Sequence, residues 1–185
     1  KNDIIVYYTD PRAIEYVNEI RPKYIIFDLI DNPVGEFACW KEKLDEALFT
    51  ADIITYSAKY LEIVINDVQQ TDKQNRKFKN PPLYLTNGCG REILSALNFS
   101  NFQIPTDINA TKKIVGYYGA ISTWLDYEFI KTVANNDNIH VVMIGLIANN
   151  KKYSMKFEHK NITWLEHKEY SEIPKYLNSF DVCMI

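Results

Sequence analysis

The sequence has 185 residues, of which 46% are hydrophobic and 24% are charged, and its formal net charge is -3. That length and apolar content are enough for one large folded domain or two small ones. The charged residues form no basic block, so we expect no nucleic-acid partner.

Cysteine and histidine usage argues against a disulfide framework and against a metal centre. The three cysteines, Cys39, Cys89 and Cys183, are far apart and odd in number, which fits a reduced, cytoplasmic protein. None of the three histidines has the spacing of metal ligands on a helix,. No apolar run is long enough to span a bilayer, although peripheral membrane contact through segments outside this sequence stays open.

The first half of the chain alternates short apolar runs with amphipathic segments. The runs are rich in β-branched and aromatic residues and predict strands over 4–8, 24–30, 52–57 and 83–86,. Apolar residues at helical spacing predict helices over 10–20, 37–48 and 61–68,. Asp10 and Pro11 are a typical N-cap and first-turn proline for the first of these helices. The polar segment 69–82 is predicted to be a solvated loop.

The second half repeats the alternation after a linker-like segment at 101–111. Strands are predicted over 113–119, 139–145, 161–165 and 181–185, with helices over 125–134 and 172–180,. Strands that alternate with helices form parallel sheets. The predicted fold is therefore α/β, with two Rossmann-like parallel-sheet units over 1–105 and 106–185. Both units are expected to be incomplete, because the chain opens and closes on strand-like runs, as a fragment would.

Several familiar enzyme motifs do not occur. The sequence has no Gly-x-Gly-x-x-Gly loop, no Walker A loop and no Gly-x-Ser-x-Gly elbow,. These absences argue against a dinucleotide-dependent oxidoreductase, a P-loop NTPase and an α/β hydrolase.

Four segments nevertheless occur in a specific order: "NPPLYLTNGCG", "KKIVGYYGAISTWLDYEFIKTVANN", "HVVMIGLI" and "KNITWLEHKEYSEIPKYLNSFDVCMI". In order and spacing they resemble the GT-B glycosyltransferases, and most closely the bacterial retaining, family 4-like enzymes that use nucleotide sugars. The resemblance is specific over 83–185 and weaker before it. It implies an acceptor-side domain followed by a nucleotide-sugar domain, and catalysis with no metal and no cofactor beyond the donor substrate.

The resemblance also implies which residues contact the donor: Gly119, Ala120, Gly145, His167 and Lys168. Each has a plainer alternative, since a glycine that ends a strand often serves packing and "EHKEY" is also typical of a polar surface loop. The family carries Arg just after the first glycine and Lys a few residues later, whereas this chain has Ala120 and Leu125. The basic charge for the diphosphate must therefore come from elsewhere, or the loop works differently.

The helix that begins near Leu125 is expected to direct the positive end of its dipole towards phosphate. For two residues beside the start of this helix the sequence leaves two alternative roles each. Asp126 either takes part in the site or simply caps the helix, and Trp124 either takes part or packs beneath the loop.

Two carboxylates, Asp28 and Asp31, follow one another at the end of a predicted buried strand. Asp31 is our candidate catalytic residue, because it could orient or deprotonate an acceptor hydroxyl. The alternative is a turn, since Asp-Asn-Pro is common turn chemistry.

The sequence therefore predicts part of a glycosyltransferase that moves a sugar from a nucleoside-diphosphate sugar to a carbohydrate or lipid-linked acceptor in cell-surface polysaccharide synthesis. A GT-B-type nucleotide-sugar epimerase and a non-catalytic α/β binding domain are the alternatives. The Glu-x7-Glu donor element and the glycine-rich acceptor loop of the family are expected to lie outside this sequence, so we expect this stretch alone to be inactive.

Overall fold

The computed structural model describes residues 3–96, 103–147 and 156–185. The chain divides into two compact units, an N-terminal unit over Lys1–Gly88 and a C-terminal unit over Cys89–Ile185. The described residues of each unit form one parallel four-stranded sheet. The predicted α/β fold is therefore confirmed. No helix in the described parts of the chain has the length and apolar character needed to cross a bilayer.

The described residues of the N-terminal unit, from residue 3 onward, form four strands and three α-helices in alternation. Its elements are β1 (Ile5–Tyr8), α1 (Ile14–Ile20), β2 (Tyr24–Leu29), α2 (Lys41–Thr50), β3 (Ile53–Tyr56), α3 (Lys59–Thr71) and β4 (Leu83–Tyr84). Short 3-10 helices precede α1 at Pro11–Ala13 and α2 at Gly35–Trp40. The carboxylate of Asp10 caps the first of them by accepting a hydrogen bond from the Arg12 backbone N–H, as the sequence predicts.

The strands of this unit follow one another across the sheet in the order β1-β2-β3-β4. Right-handed crossovers that always step in the same direction place every helix on the same face. The core lies on that face, where Phe27, Leu29 and Ile54 pack against Ile14 of α1 and Leu48 of α2.

The opposite face of this sheet is partly exposed in the described residues, although Asp28 and Thr55 on it are buried. Its large apolar side chains are exposed: Ile5, Tyr7, Tyr24, Ile53 and Leu83. The register of the strands places these residues on one side, since Ile5 pairs with Tyr24 and Ile26 pairs with Ile53,.

The polar segment after α3 is attached to the rest of the N-terminal unit by its basic side chains. Arg76 pairs with Asp72 at 2.7 Å and lies over the ring of Phe49. Lys79 donates to the backbone carbonyl of Thr50 and pairs with Asp52. Residues 69–71 belong to α3, but 72–82 have no regular structure and are mostly exposed. The predicted solvated loop is therefore confirmed over 72–82, and basic side chains tie it to the end of α2 and the start of β3.

The C-terminal unit is covered on both faces of its sheet. Its elements are α4 (Arg91–Ala96), β5 (Lys113–Tyr118), α5 (Tyr127–Ala134), β6 (Ile139–Ile144), β7 (Ile162–Leu165), α6 (Ile173–Leu177) and β8 (Val182–Cys183). The strand order is β7-β6-β5-β8. One core lies between the sheet and α5, and a second lies between the sheet and α6, with Ile93 of α4 included.

The observed division of the chain at Gly88 differs from the predicted boundary at residues 105–106. The sequence predicts no helix at α4, which joins the second unit because Ile93 packs with Ile108 and Ile173. Residues 103–111 of the predicted linker also belong to this unit, while 101–102 lie outside the described residues.

Candidate functional site

The donor-contact residues implied by the sequence lie along one edge of the C-terminal sheet. Strands β7, β6 and β5 are neighbours in this sheet, and being parallel they end at the same edge. Gly119 and Ala120 follow β5, Gly145 follows β6, and His167 and Lys168 come shortly after β7. In open parallel sheets this carboxyl edge is where ligands bind.

The backbones of Gly119 and Gly145 approach each other closely at this edge. A Cβ atom added to Gly145 would overlap the carbonyl oxygen of Gly119, and Gly145 has a φ of +148°. The Gly119 N–H donates to Ile144 at 3.0 Å, and the Gly145 N–H donates to Leu165 at 3.3 Å. Packing between neighbouring chain segments therefore already requires glycine at position 145.

The loop between β5 and α5 is fixed by hydrogen bonds. The Tyr117 hydroxyl donates to the carbonyl of Ala120 at 2.8 Å. The Tyr127 hydroxyl and the Leu125 backbone N–H both donate to the carbonyl of Ser122. Ile121 is fully buried between these contacts, so the loop has a firm attachment on each side.

A carboxylate occupies the start of α5. Asp126 is the N-cap of this helix, and its Oδ1 accepts a hydrogen bond from the backbone N–H of Phe129 at 2.9 Å. The capping alternative for Asp126 is therefore confirmed. A negative charge on the cap opposes a second anion at the same helix end. The expected phosphate contact at this helix start is thus disfavoured.

Trp124 does not pack beneath the loop. Its side chain is 53% exposed. Tyr118, the last residue of β5, is 43% exposed at the same edge. The packing alternative for Trp124 is therefore wrong, and the edge presents exposed aromatic surface next to its glycines.

Lys168 already has an anionic partner. Its Nζ lies 2.8 Å from Oδ2 of Asp107, which also accepts a hydrogen bond from the Tyr176 hydroxyl at 2.8 Å. The hydrogen bond to Asp107 raises the pKa of Lys168. Burial raises the pKa of Asp107, but the hydrogen bonds from Lys168 and Tyr176 outweigh burial and lower it overall. Much of the Lys168 charge is therefore balanced within the protein. The neighbouring His167 is exposed.

The two carboxylates of the N-terminal unit differ in environment. Asp28, near the end of β2, is 8% exposed, and accepts hydrogen bonds from the hydroxyls of Tyr7 at 2.5 Å and Thr55 at 2.7 Å. The hydrogen bond to Asp28 raises the pKa of Tyr7. Asp31 lies beyond the end of the strand and is half-buried. Asp28 is thus held by neighbouring strands, whereas Asp31 remains the carboxylate on the loop.

Comparison with known proteins produces matches at the level of structure alone. Neither the protein-family models nor the curated protein sequences match the chain. Among solved structures, Anabaena HepE in complex with UDP and glucose is similar with a TM-score of 0.67 and 13% identity, over 97% of this chain and 51% of HepE. The trehalose-6-phosphate enzyme of E. coli bound to UDP-2-fluoro glucose is similar with a TM-score of 0.63 and 13% identity, over 100% of this chain and 52% of that enzyme.

Both similar structures are GT-B glycosyltransferases, so the chain has an α/β fold of the GT-B type. At this level of identity the likeness establishes the fold alone. The chain spans about half the length of each of these two proteins.

Proposed function

We propose that this chain is part of a glycosyltransferase that uses a nucleoside-diphosphate sugar as donor. The observation that carries the proposal is the common edge formed by the ends of β5, β6 and β7, along which Gly119, Gly145 and His167 lie. Two proteins of the same fold bind UDP with glucose and UDP-2-fluoro glucose, respectively, which supports a nucleotide-sugar ligand.

In the proposed reaction an acceptor hydroxyl attacks the anomeric carbon of the donor sugar. A new glycosidic bond forms, and the bond between the anomeric carbon and the diphosphate oxygen breaks. The diphosphate leaves with the electron pair, and the hydroxyl proton passes to a base. We expect the departing anion to be stabilised without a metal, by donors other than the N–H groups of Gly119 and Gly145, which donate to Ile144 and Leu165. Asp31 is the proposed group that orients or deprotonates the acceptor.

The finer parts of the proposal concern the biological setting. We expect retention of configuration at the anomeric carbon, a carbohydrate or lipid-linked acceptor, and a cytoplasmic role in cell-surface polysaccharide synthesis. These expectations follow the sequence resemblance given above.

The test is a thermal-shift panel on the full-length protein with UDP, GDP, ADP and CMP, each with magnesium and with a chelator. A ligand that binds only the native state at about 100 times its Kd adds roughly 2.7 kcal/mol of stability. We expect one nucleoside diphosphate to raise the melting temperature equally with magnesium and with chelator. If no nucleotide shifts the melting temperature of the folded protein, the proposal is wrong.

A further inference from the structure

Trp124 is a large apolar side chain held at the surface by a loop that does not need it for packing. The loop is anchored through Ile121 and through the carbonyls of Ala120 and Ser122. Trp124 itself is 53% exposed. Exposing an indole leaves much apolar surface in water, whereas tryptophan is highly buried on average. At the carboxyl edge of the sheet, where ligands bind in parallel sheets, this exposed indole is therefore available for contact with a ligand.

The charge of this loop is wrong for recognising a diphosphate. The segment 119–126, "GAISTWLD", contains no lysine or arginine and ends in Asp126. The Asp126 carboxylate already satisfies the Phe129 N–H at the start of α5. An anionic ligand group gains little at such a position, whereas the flat face of an uncharged ring gains by stacking on an indole.

We infer that Trp124 binds the flat face of a ring of the donor substrate, so that this loop recognises a ring and not the diphosphate. The inference rests on the proposed function. Two parts of a nucleotide sugar present such a face, namely the nucleobase and the sugar ring. Trp124 is then a specificity residue whose contribution is apolar and does not depend on salt.

The first measurement is tryptophan fluorescence of the full-length protein during titration with UMP, UDP and UDP-glucose. The two other tryptophans in this chain are better shielded, since Trp40 is 6% exposed and the Trp164 indole N–H donates to the carbonyl of Phe157. Comparison of the wild type with Trp124→Phe isolates the Trp124 emission. We expect ligand to quench the long-wavelength emission of the wild type, and this change to be absent in Trp124→Phe.

The second measurement is the Kd by calorimetry, which does not depend on fluorescence. Replacing an aromatic side chain that stacks on a base with alanine weakens binding by about 5- to 150-fold. We expect Trp124→Ala to weaken binding within that range, and Trp124→Phe to restore most of it. Tyr60→Ala is the matched control, because Tyr60 is 59% exposed but lies on α3 in the N-terminal unit.

The ligand series identifies the ring. An equal loss of affinity for UMP, UDP and UDP-glucose assigns the contact to the base, and a loss confined to UDP-glucose assigns it to the sugar.

If the wild type binds UDP-glucose while Trp124→Ala binds equally well and no emission changes, the inference is wrong and the proposed function stands. If Trp124→Ala does not fold, binding without quenching in the wild type overturns the inference. If the folded wild type binds none of the three ligands, the same series is run with the base that the thermal-shift panel identifies. If it binds no nucleotide of that panel, the proposed function fails, and the inference fails with it.

Discussion

The carbonyl oxygen of Gly119 occupies the space in which a side chain on Gly145 would begin. Gly145 also has a φ of +148°, which side-chain-bearing residues rarely adopt. The two glycines therefore act as a pair that lets the chain segments after β5 and β6 approach each other closely.

Substitution of Gly145 by alanine should destabilise the protein strongly. We expect Gly145→Ala to lower the free energy of unfolding by about 2–4 kcal/mol, because backbone strain and atomic overlap add together. Urea denaturation measures this loss. Gly88→Ala is the matched control, since a Cβ at Gly88 meets nothing within 4 Å. Equal stability of the two variants would contradict the close contact.

The ring of Phe180 leaves no space for a side chain at Gly116. A Cβ at Gly116 would overlap the ring of Phe180. We expect Gly116→Ala to cost about 2 kcal/mol in the wild type through overpacking, and much less in a Phe180→Ala background. A double-mutant cycle measures the coupling between the two positions. Additive effects would show that the ring does not restrict position 116.

Substitutions of Asp126, the N-cap of α5, can separate the contribution of its hydrogen bond from that of its negative charge. Asp126→Ala should lower the free energy of unfolding by about 1 kcal/mol, because the Phe129 N–H loses its acceptor. Asp126→Asn keeps a capping oxygen and should change stability by only a few tenths of a kcal/mol. Thermal unfolding of both variants tests this. A similar loss in both would mean that the negative charge, and not the hydrogen bond, stabilises the helix.

His140 should make stability depend on pH on the acid side of neutrality. Its side chain is 5% exposed, its Nε2 lies 2.8 Å from Oγ1 of Thr163, and burial followed by the charge of Lys112 lowers its pKa below the ordinary 6.5. Below about pH 6.5 the unfolded chain therefore binds the proton more readily than the folded chain, so stability falls as the pH falls.

His140→Gln should flatten the dependence of unfolding free energy on pH between about pH 7.5 and pH 5. The slope is compared with that of the wild type measured under the same conditions. An unchanged slope in His140→Gln would contradict the effect of burial on this imidazole.

Local patterns in the sequence predict the strands of this chain well and its through-space contacts poorly. The buried strands read as apolar runs, and Asp126 was recognisable as a possible cap because capping acts over three residues. Lys168 and Asp107 pair although they are 61 residues apart in the sequence. No pattern within either segment predicts this contact. The contact of Gly145 with Gly119 is missed for the same reason. Helix α4 has six residues, too few to show a helical period.

The partly exposed face of the β1–β4 sheet has a practical consequence for work in solution. Exposed apolar side chains from β1, β2, β3 and β4 share that face, with Ile5 and Tyr7 on β1, the strand at one end of the described sheet. A broad apolar surface beside a free strand edge favours self-association. The polypeptide studied at high concentration, with nothing seated on this face, is therefore expected to scatter light and to bind hydrophobic dyes while still folded.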